Sequence, residues 1–511
     1  MLNGISCENF KSLKNLKDIK IKPITILCGS NSCGKSSMLE SILLLKQTVR
    51  NMNSANGIVF NGDYMHLGDF ENVVFAHNTK NDIEMTYSFI VNTINRRVQR
   101  VFCMLLGQWD TFMSLRGRDD AFRCNLKVSV TISKFAKGHY IKKYRVDLTK
   151  GENYAFLELE YDQQQEIIKN DSFVKKYFLT CDMASNNRRP YRDRDERRII
   201  FSKNDRLRCR VNFNGLFPSA STVYSSVFYS GKRDRYIPSD ISDFLDTTQI
   251  ALSEICQHIS YIGPLREAPA RRYFYDDVVN DIGIKGENAA YLLLNEGNTQ
   301  GMYHLPNDYL GEMSLQEAAQ SWLEYMGIQG LKVNNDKDIY RVVLSDTNTK
   351  SVLVNIADVG FGISQVFPII LEGLRMPEDS TLVLEQPEIH LHPKLQMQLS
   401  DYMIAMARQD KGFVVETHSD HIINRLVRRI VEDETGRLAD MIQIYFVTPT
   451  PVGAQFQSVE IDDTRGIVNW PDGFFDQTAN EQEMIVRAGL RKRKARREML
   501  KQNVRDNHLE K

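Results

Sequence analysis

The chain carries Gly29-Ser30-Asn31-Ser32-Cys33-Gly34-Lys35-Ser36 between two apolar segments of different character. Before it, Ile24-Thr25-Ile26-Leu27 is rich in β-branched residues and predicts a strand. After it, the run from Ser37 to Val49 predicts an apolar helix. A strand, a glycine-rich loop and a helix in this order, with the spacing GxxxxGK[ST], are typical of a phosphate-binding loop.

This loop predicts a site for ATP and Mg²⁺. Backbone amides and the helix N-terminus can surround a phosphate group, Lys35 can reach the β- and γ-phosphates, and the Ser36 hydroxyl can ligate Mg²⁺. The alternative is a glycine turn that precedes a helix by chance. The candidate ATP-binding residues are Gly29, Ser30, Asn31, Ser32, Cys33, Gly34, Lys35, Ser36 and Ser37.

Two later segments each place polar residues after a short apolar run. Thr381 to Glu388 reads TLVLEQPE, and its apolar residues predict a buried strand that ends at Glu385. A carboxylate there is a candidate to organise Mg²⁺ together with Ser36; the alternative is an edge strand with a surface carboxylate. Gly412 to Ser419 reads GFVVETHS and carries His418, a candidate γ-phosphate contact or else a structural or exposed histidine.

A fourth segment, Asp358 to Gln365, reads DVGFGISQ and runs into the apolar helix expected from Val366 to Leu374. Backbone amides and a serine at a helix N-terminus can form a second anion site. A glycine-rich turn capped by Ser364 is the alternative. The candidate residues of this second site are Gly360, Gly362, Ser364 and Gln365.

Composition adds few constraints. The 511 residues are 42% hydrophobic and 25% charged, with a formal net charge of zero, so global charge favours no class of partner. No apolar run is long enough for a membrane span, and Met1-Leu2-Asn3-Gly4 lacks the features of a signal peptide. The eight cysteines are scattered, which is typical of free thiols in a reducing compartment. We therefore expect a cytoplasmic protein without membrane partners.

Together, the four segments resemble the ABC-type ATPases of the SMC, RecF and overcoming-lysogenization-defect (OLD) group. The resemblance implies an α/β P-loop head with a mixed sheet, built from both ends of the chain around an inserted helical and β-rich region. It implies that Glu385 is the Walker B acid, that His418 is the switch histidine, and that Gly360 to Gln365 is a signature motif facing nucleotide on another subunit. Asn9-Phe10-Lys11-Ser12 resembles the first strand, which passes near the adenine.

Within this group, the phrases YIGPLR (Tyr261 to Arg266), LEQPEIHLHP and VETHSDHIINRL look like stand-alone bacterial ATPases similar to the ATPase subunits of the Septu and PARIS phage-defence systems. This resemblance implies a homo-oligomer, a dimer or larger, that controls a separate effector, most simply a nuclease. A RecF-like repair ATPase acting directly on DNA is the second interpretation. An ABC transporter subunit is the third and weakest, because nothing in the sequence suggests docking on a membrane domain.

The sequence departs from the ABC pattern at one position. Those ATPases usually place a glutamate after the Walker B acid as general base, whereas this chain has Gln386. An amide can orient a water molecule but cannot take its proton, so we expect slow hydrolysis. Glu388 and His390 are the alternative bases. The candidate catalytic residues are Lys35, Glu385, Gln386 and His418.

The C-terminal region carries no evident nuclease site. OLD nucleases continue into a Toprim domain, but the carboxylates after His418, among them Asp462 and Asp463, lack its pattern and are better explained as a surface turn. We therefore expect no Toprim domain. A basic helix is predicted from Gln482 to Arg505; it fits a nucleic-acid backbone, a solvated helix or a docking arm for an acidic partner equally well. Its central basic residues are Arg491, Lys492, Arg493, Lys494, Arg496 and Arg497.

These observations divide the chain into four parts without a long coiled coil. The expected parts are an N-terminal lobe (1–180), an inserted or connecting region (181–310), a C-terminal lobe (311–450) and a tail with the basic helix (451–511).

Overall fold

The computed structural model describes most of the chain. The described residues are 1–51, 57–115, 121–135, 138–162, 175–183, 207–224, 239–268, 270–272, 279–336, 339–345, 352–358, 361–469, 471 and 477–509. Their strands are β1 (Leu2–Phe10), β2 (Leu13–Lys20), β3 (Ile24–Gly29), β4 (Ile83–Thr93), β5 (Phe122–Phe135), β6 (Gly138–Lys150), β7 (Asn153–Tyr161), β8 (Lys175–Asp182), β9 (Leu207–Asn214), β10 (Phe217–Tyr224), β11 (Ile259–Ile262), β12 (Gln300–Leu305), β13 (Tyr309–Ser314), β14 (Lys332–Asp336), β15 (Ile339–Ser345), β16 (Leu353–Asn355), β17 (Thr381–Glu385), β18 (Gly412–Glu416), β19 (Ile442–Thr450), β20 (Gly453–Ser458), β21 (Ile461–Asp462) and β22 (Gly466–Ile467).

The helices lie mainly between and after these strands. They are α1 (Lys35–Arg50), α2 (Phe70–Val73), α3 (Arg96–Leu105), α4 (Trp109–Leu115), α5 (Ser239–Gln257), α6 (Ala289–Glu296), α7 (Leu315–Tyr325), α8 (Phe361–Arg375), α9 (Pro393–Ala407), α10 (Asp420–Glu432), α11 (Arg437–Met441) and α12 (Gln477–Leu509).

Two sheets dominate the fold. The larger, here called the antiparallel sheet, has the strand order β10-β9-β8-β7-β6-β5-β4-β1-β2. Its strands alternate buried and more exposed residues, as β4 does along its whole length, because one face packs against the core and the other faces solvent.

The second sheet, here called the core sheet, has the order β11-β17-β18-β3-β19-β20. Its first five strands are parallel, and β20 returns antiparallel to β19. Strand β3, from the N-terminal part of the chain, therefore lies between β18 and β19, which both come from its C-terminal part. Because the strand pleat sends successive side chains to opposite faces, each core strand serves two hydrophobic clusters.

The residues of β17 and β18 divide between these clusters. Val383 and Val414 join the cluster formed with α1 and the antiparallel sheet. Leu384 and Val415 join the cluster that contains the apolar faces of α7, α8, α9 and α10. Since both faces of the core sheet are covered, its strands are continuous apolar runs, as the sequence shows.

Helix α7 begins with a capping box and ends in the second cluster. The Ser314 hydroxyl accepts from the Glu317 amide while the Glu317 carboxylate accepts from the Ser314 amide, which satisfies two backbone donors at the helix start. Farther along, the buried ring of Trp322 meets Tyr402 of α9 edge-on, with centroids 5.0 Å apart. This contact joins two helices behind the core sheet.

Hydrogen bonding crosses the part boundaries expected from the sequence. Residue 180 falls inside β8, and the antiparallel sheet continues through β9 to β10. Residue 310 falls inside β13, while β11 of the connecting region forms one edge of the core sheet. Beyond residue 450, β20 still pairs with β19. Much of the region between 184 and 238 lies outside the described residues.

The predicted α/β P-loop fold with a mixed sheet is confirmed. The helix expected from Ser37 to Val49 is α1, and the basic helix expected from Gln482 to Arg505 is part of α12. Among the described residues, no helix combines the length and apolar character that crossing a membrane requires.

Candidate functional site

The loop between β3 and α1 has the conformation that its glycines predict. Gly29 has φ of +139° and Gly34 has φ of +108°, values that L side chains rarely adopt. A Cβ at Gly29 would lie 2.1 Å from the Val447 carbonyl oxygen of β19. Strand β19 therefore packs directly against the loop, and only glycine fits at the first position of the loop.

Lys35 and Ser36 begin helix α1 and face the loop. The Lys35 ammonium is buried and donates to the carbonyl oxygen of Ser30 at 2.7 Å and of Gly29 at 3.3 Å. The Ser36 hydroxyl donates to the Glu416 carboxylate at 2.9 Å. Both side chains thus lie at the carboxyl-terminal edge of the core sheet, where β17 and β18 also end.

Glu416 is the central contact between the loop and the C-terminal strands. It is the last residue of β18, which pairs with β3 on one side and β17 on the other, in register with Leu27 and Glu385. Its carboxylate lies 3.8 Å from the Lys35 ammonium, and both side chains are buried. Burial raises the pKa of Glu416, while the Ser36 hydrogen bond and the Lys35 charge oppose this shift.

Glu385 lies on the neighbouring strand and accepts a hydrogen bond from the Tyr261 hydroxyl at 3.0 Å. Burial, followed by the negative charge of Glu416, raises the pKa of Glu385 to about 7. Two carboxylates and the Ser36 hydroxyl therefore converge at this edge. Hard oxygen donors of this kind suit Mg²⁺, which usually takes only one or two protein carboxylates and completes its coordination with water and phosphate oxygens.

Gln386 occupies a strained turn directly after β17. Its φ is +44°, in the left-handed region. The backbone N–H of Gln386 donates to the backbone carbonyl oxygen of Glu416 at 2.7 Å. The Arg266 guanidinium donates to the backbone carbonyl oxygens of Glu385 and Gln386 at 3.3 Å each. Burial lowers the pKa of Arg266 to about 10. Arg266 and Glu416 together fix the backbone that presents Gln386.

Glu388 connects this turn to the segment that carries His418. One carboxylate oxygen accepts from the His418 backbone amide at 2.6 Å and the other from the Thr417 hydroxyl at 2.8 Å. The His418 ring is half-buried, and burial, followed by the charge of Lys35, lowers its pKa. Because this pKa lies below the ordinary value of histidine, the His418 ring is mostly uncharged at neutral pH.

The DVGFGISQ segment leads into α8. Gly360 lies outside the described residues. Gly362 packs against the backbone of the turn after β17, since a Cβ there would lie 2.8 Å from the His390 carbonyl oxygen. Ser364 and Gln365 are buried within the chain, and the Gln365 side-chain nitrogen has no hydrogen-bond partner. The sequence predicts that Ser364 faces another subunit. In the single copy described here, only 7% of the surface of Ser364 is exposed.

A cavity opens beside the loop. It brings Ser32 to Ser37 together with Lys11 and Ser12, and Lys11 pairs with Glu40 at 2.6 Å. Several lining residues escaped sequence reasoning because each is a common type with no distinctive spacing. They are Glu40, Asn72, Val74, Ala76, His77 and Glu416.

The described basic residues of α12 are not among those that line this cavity. Among the described residues of this helix, Arg491, Lys492, Arg493, Lys494, Arg496 and Arg497 are all exposed. They form a positively charged surface that the rest of the described chain does not cover.

Comparisons with known proteins place these segments in context. A family model described as "AAA ATPase domain" matches residues 1–250 and 306–423, which include the loop, Glu385 and His418. A model described as "Protein of unknown function (DUF3696)" matches residues 439–484. No curated protein matches the sequence.

Solved structures of SMC heads are similar over most of their length. One, an SMC head bound to the C-winged helix domain of ScpA, is 12% identical, with 90% of this chain and 98% of that chain covered and a TM-score of 0.40. The SMC head from Thermotoga maritima is 11% identical, with 90% of this chain and 99% of that chain covered and a TM-score of 0.35. An SMC head with an extended coiled coil, bound to the C-terminal domain of ScpA derived from Pyrococcus furiosus, is 11% identical, covers 90% and 96%, and has a TM-score of 0.36.

The close approach of Gly29 to β19 gives a prediction. We expect Gly29→Ala to destabilise the chain by about 3 kcal/mol or more and to abolish nucleotide binding, because it adds both backbone strain and a clash with a carbonyl group. Gly138→Ala is the matched control, since Gly138 also has positive φ but a Cβ there meets nothing within 4 Å. Denaturant midpoints and nucleotide titrations compare the two; equal losses would show that the Val447 contact is unimportant.

Proposed function

Because this chain belongs to the AAA ATPase domain family, we propose that it is an ATP-dependent regulator whose Mg·ATP site lies at the edge of the core sheet and closes against a second copy. The observation that carries this proposal is the Glu416 carboxylate, which contacts Lys35 and Ser36 and lies in register with Glu385. These contacts join the N-terminal loop to the C-terminal strands in one site.

The proposed roles follow the positions of the side chains. The amides of the loop from Gly29 to Ser37 bind the phosphates, with Lys35 on the β- and γ-phosphates. Ser36 and Glu385 hold Mg²⁺, which neutralises phosphate charge when bound. His418, whose backbone amide donates to Glu388 and whose ring is mostly uncharged, would donate a hydrogen bond to the γ-phosphate.

Slow hydrolysis is part of the proposal. Gln386 follows Glu385, and Arg266 and Glu416 hold its backbone. Its side-chain amide can orient a water molecule but cannot accept a proton from it. Both oxygens of Glu388 are occupied by the Thr417 hydroxyl and the His418 amide, which favours a positioning role over that of a base. A long-lived ATP-bound state follows.

In this proposal the second copy contributes the start of α8. Ser364 lies in the first turn of α8, and Gly362 packs on the turn after β17. ATP bound by one copy would contact the start of α8 in the other copy. The two copies would therefore assemble only when ATP is bound. In this proposal the N-terminal and C-terminal parts form one head, and strands β9, β10 and β11 of the connecting region complete its two sheets.

The regulated partner is proposed from the sequence phrases YIGPLR, LEQPEIHLHP and VETHSDHIINRL, which resemble stand-alone defence ATPases. In this proposal the cytoplasmic homo-oligomer senses infection and controls a separate effector, a nuclease, in anti-phage defence. No nuclease site in this chain is required for that role.

ATP-dependent assembly gives a second prediction. We expect Lys35→Ala to lose ATP binding by at least about 100-fold, because the phosphates lose their main cation. We expect Ser364→Ala to bind ATP within about twofold of wild type but to assemble about tenfold more weakly, as loss of one hydrogen bond to a charged group implies. Mass photometry with and without Mg·ATP and a fluorescent-nucleotide titration measure both.

Ser380→Ala is the matched control for Ser364→Ala. Ser380 is also buried, but it precedes β17 at the opposite edge of the core sheet. Assembly that is equally impaired in the two serine variants, or unchanged in both, would contradict a composite site.

Gln386 gives a third prediction. Supplying the missing carboxylate in Gln386→Glu should raise single-turnover phosphate release by about 10²- to 10⁴-fold, the usual contribution of a general base, whereas Gln386→Ala should stay slow. Fast wild-type turnover that disappears in Glu388→Ala would show instead that Glu388 is the base.

The exposed basic residues of α12 favour a second candidate function, a repair ATPase that acts directly on DNA. It predicts that the purified chain binds duplex DNA with an affinity that falls steeply as salt rises, and that DNA stimulates hydrolysis. Replacing the six residues Arg491, Lys492, Arg493, Lys494, Arg496 and Arg497 by Gln should then reduce the salt slope by about one per lost phosphate contact.

The same preparation separates the two functions. If the chain alone binds DNA weakly, shows no stimulation, and co-purifies with a nuclease encoded beside it, the defence function is supported. DNA-stimulated turnover that requires α12 would support repair.

A further inference from the structure

Glu416 occupies groups that a nucleotide needs. Its carboxylate accepts the Ser36 hydroxyl at 2.9 Å and lies 3.8 Å from the Lys35 ammonium. In the proposed function these same two groups bind Mg²⁺ and the phosphates. Incoming ATP therefore competes with an internal carboxylate that is only 5% exposed.

A second carboxylate lies beside the first. Glu385 and Glu416 are directly in register on neighbouring parallel strands, whose backbones are about 4.8 Å apart. Glu40 contributes further negative charge to both, although Lys11 pairs with it. Without a cation between them, the carboxylates of Glu385 and Glu416 would repel a triphosphate strongly. Both are negatively charged, and repulsion between like charges is poorly screened at a buried edge.

We propose that Glu416 is a second metal-organising carboxylate and that it makes nucleotide binding itself, and not only hydrolysis, conditional on Mg²⁺. With the metal present, Glu416 and Glu385 face a cation, and Ser36 and Lys35 become available to the ligand. Without it, Glu416 retains Lys35 and Ser36 and its charge opposes the triphosphate. This inference rests on the proposed ATP site and adds a requirement to it.

The test measures affinity rather than turnover. A non-hydrolysable ATP analogue is titrated into the full chain by calorimetry, once with excess Mg²⁺ and once with EDTA. We expect Mg²⁺ to strengthen binding to wild type by about 100-fold or more. Glu416→Gln should bind the analogue about 10- to 100-fold more tightly in EDTA, because one repulsive charge near the phosphates is removed, and its response to Mg²⁺ should shrink accordingly.

Glutamine is a conservative replacement here, since its side-chain oxygen can still accept the Ser36 hydroxyl. Glu416→Thr provides a second uncharged variant with a smaller side chain, and it should show the same gain in EDTA. Glu254→Gln is the matched control: Glu254 is a half-buried carboxylate outside the cavity that accepts from the Asn95 amide at 2.8 Å, and its loss should leave both affinities unchanged.

The outcomes separate the two levels of inference. If wild type binds the analogue but neither Glu416 variant gains affinity in EDTA, the role of Glu416 is wrong while the ATP site stands. If all variants including Glu254→Gln gain equally, the effect is one of net charge, and the role of Glu416 is again wrong. If wild type fails to bind the analogue with or without Mg²⁺, the proposed function fails.

Discussion

The hydrogen bonds that hold β3 between β18 and β19 are the constraint on which the rest of the molecule depends. In this parallel arrangement, Ile26 lies opposite Val415 on one side and Ile444 on the other. Parallel strands all end at the same edge of a sheet, so the loop after β3, Glu385 at the end of β17 and His418 after β18 must meet there. The position of the site therefore follows from the order of the strands in the core sheet, because each of these residues lies at or just after the end of a strand.

The electrostatics of this edge follow from its burial. Glu385 and Glu416 are close neighbours in a place where water screens charge poorly, which explains why burial and mutual repulsion both raise the pKa of Glu385. Lys35, the Ser36 hydroxyl and the Tyr261 hydroxyl offset part of this cost. In the proposed function, a bound divalent cation would offset the remaining repulsion between these two carboxylates.

Spacing within one segment could be predicted from the sequence, whereas relations between segments could not. The loop from Gly29 to Ser36 was evident because its chemistry resides in consecutive residues, and the apolar runs before Glu385 and His418 indicated buried strands. Glu416 lay in plain view in GFVVETHS but had no predicted role, because its function depends on which strand lies beside β3. Arg266 acts on the backbone of Glu385 and Gln386 more than a hundred residues away, a contact with no local signal. The extent of the antiparallel sheet was missed for the same reason, since its later strands are separated by long polar segments.

The position of β3 also has a consequence for how the protein is made. Ribosomes synthesise about 5 to 20 residues per second, so β18 and β19 emerge some tens of seconds after β3. The antiparallel sheet can assemble early, because β1, β2 and β4 to β10 are consecutive in the chain apart from β3. During that interval both backbone edges of β3 lack the neighbours they have in the native sheet, and Ile24, Ile26 and Cys28 lack their final cover. Strand β3 therefore cannot take its native place in the sheet until residues more than 380 positions later in the chain have been synthesised.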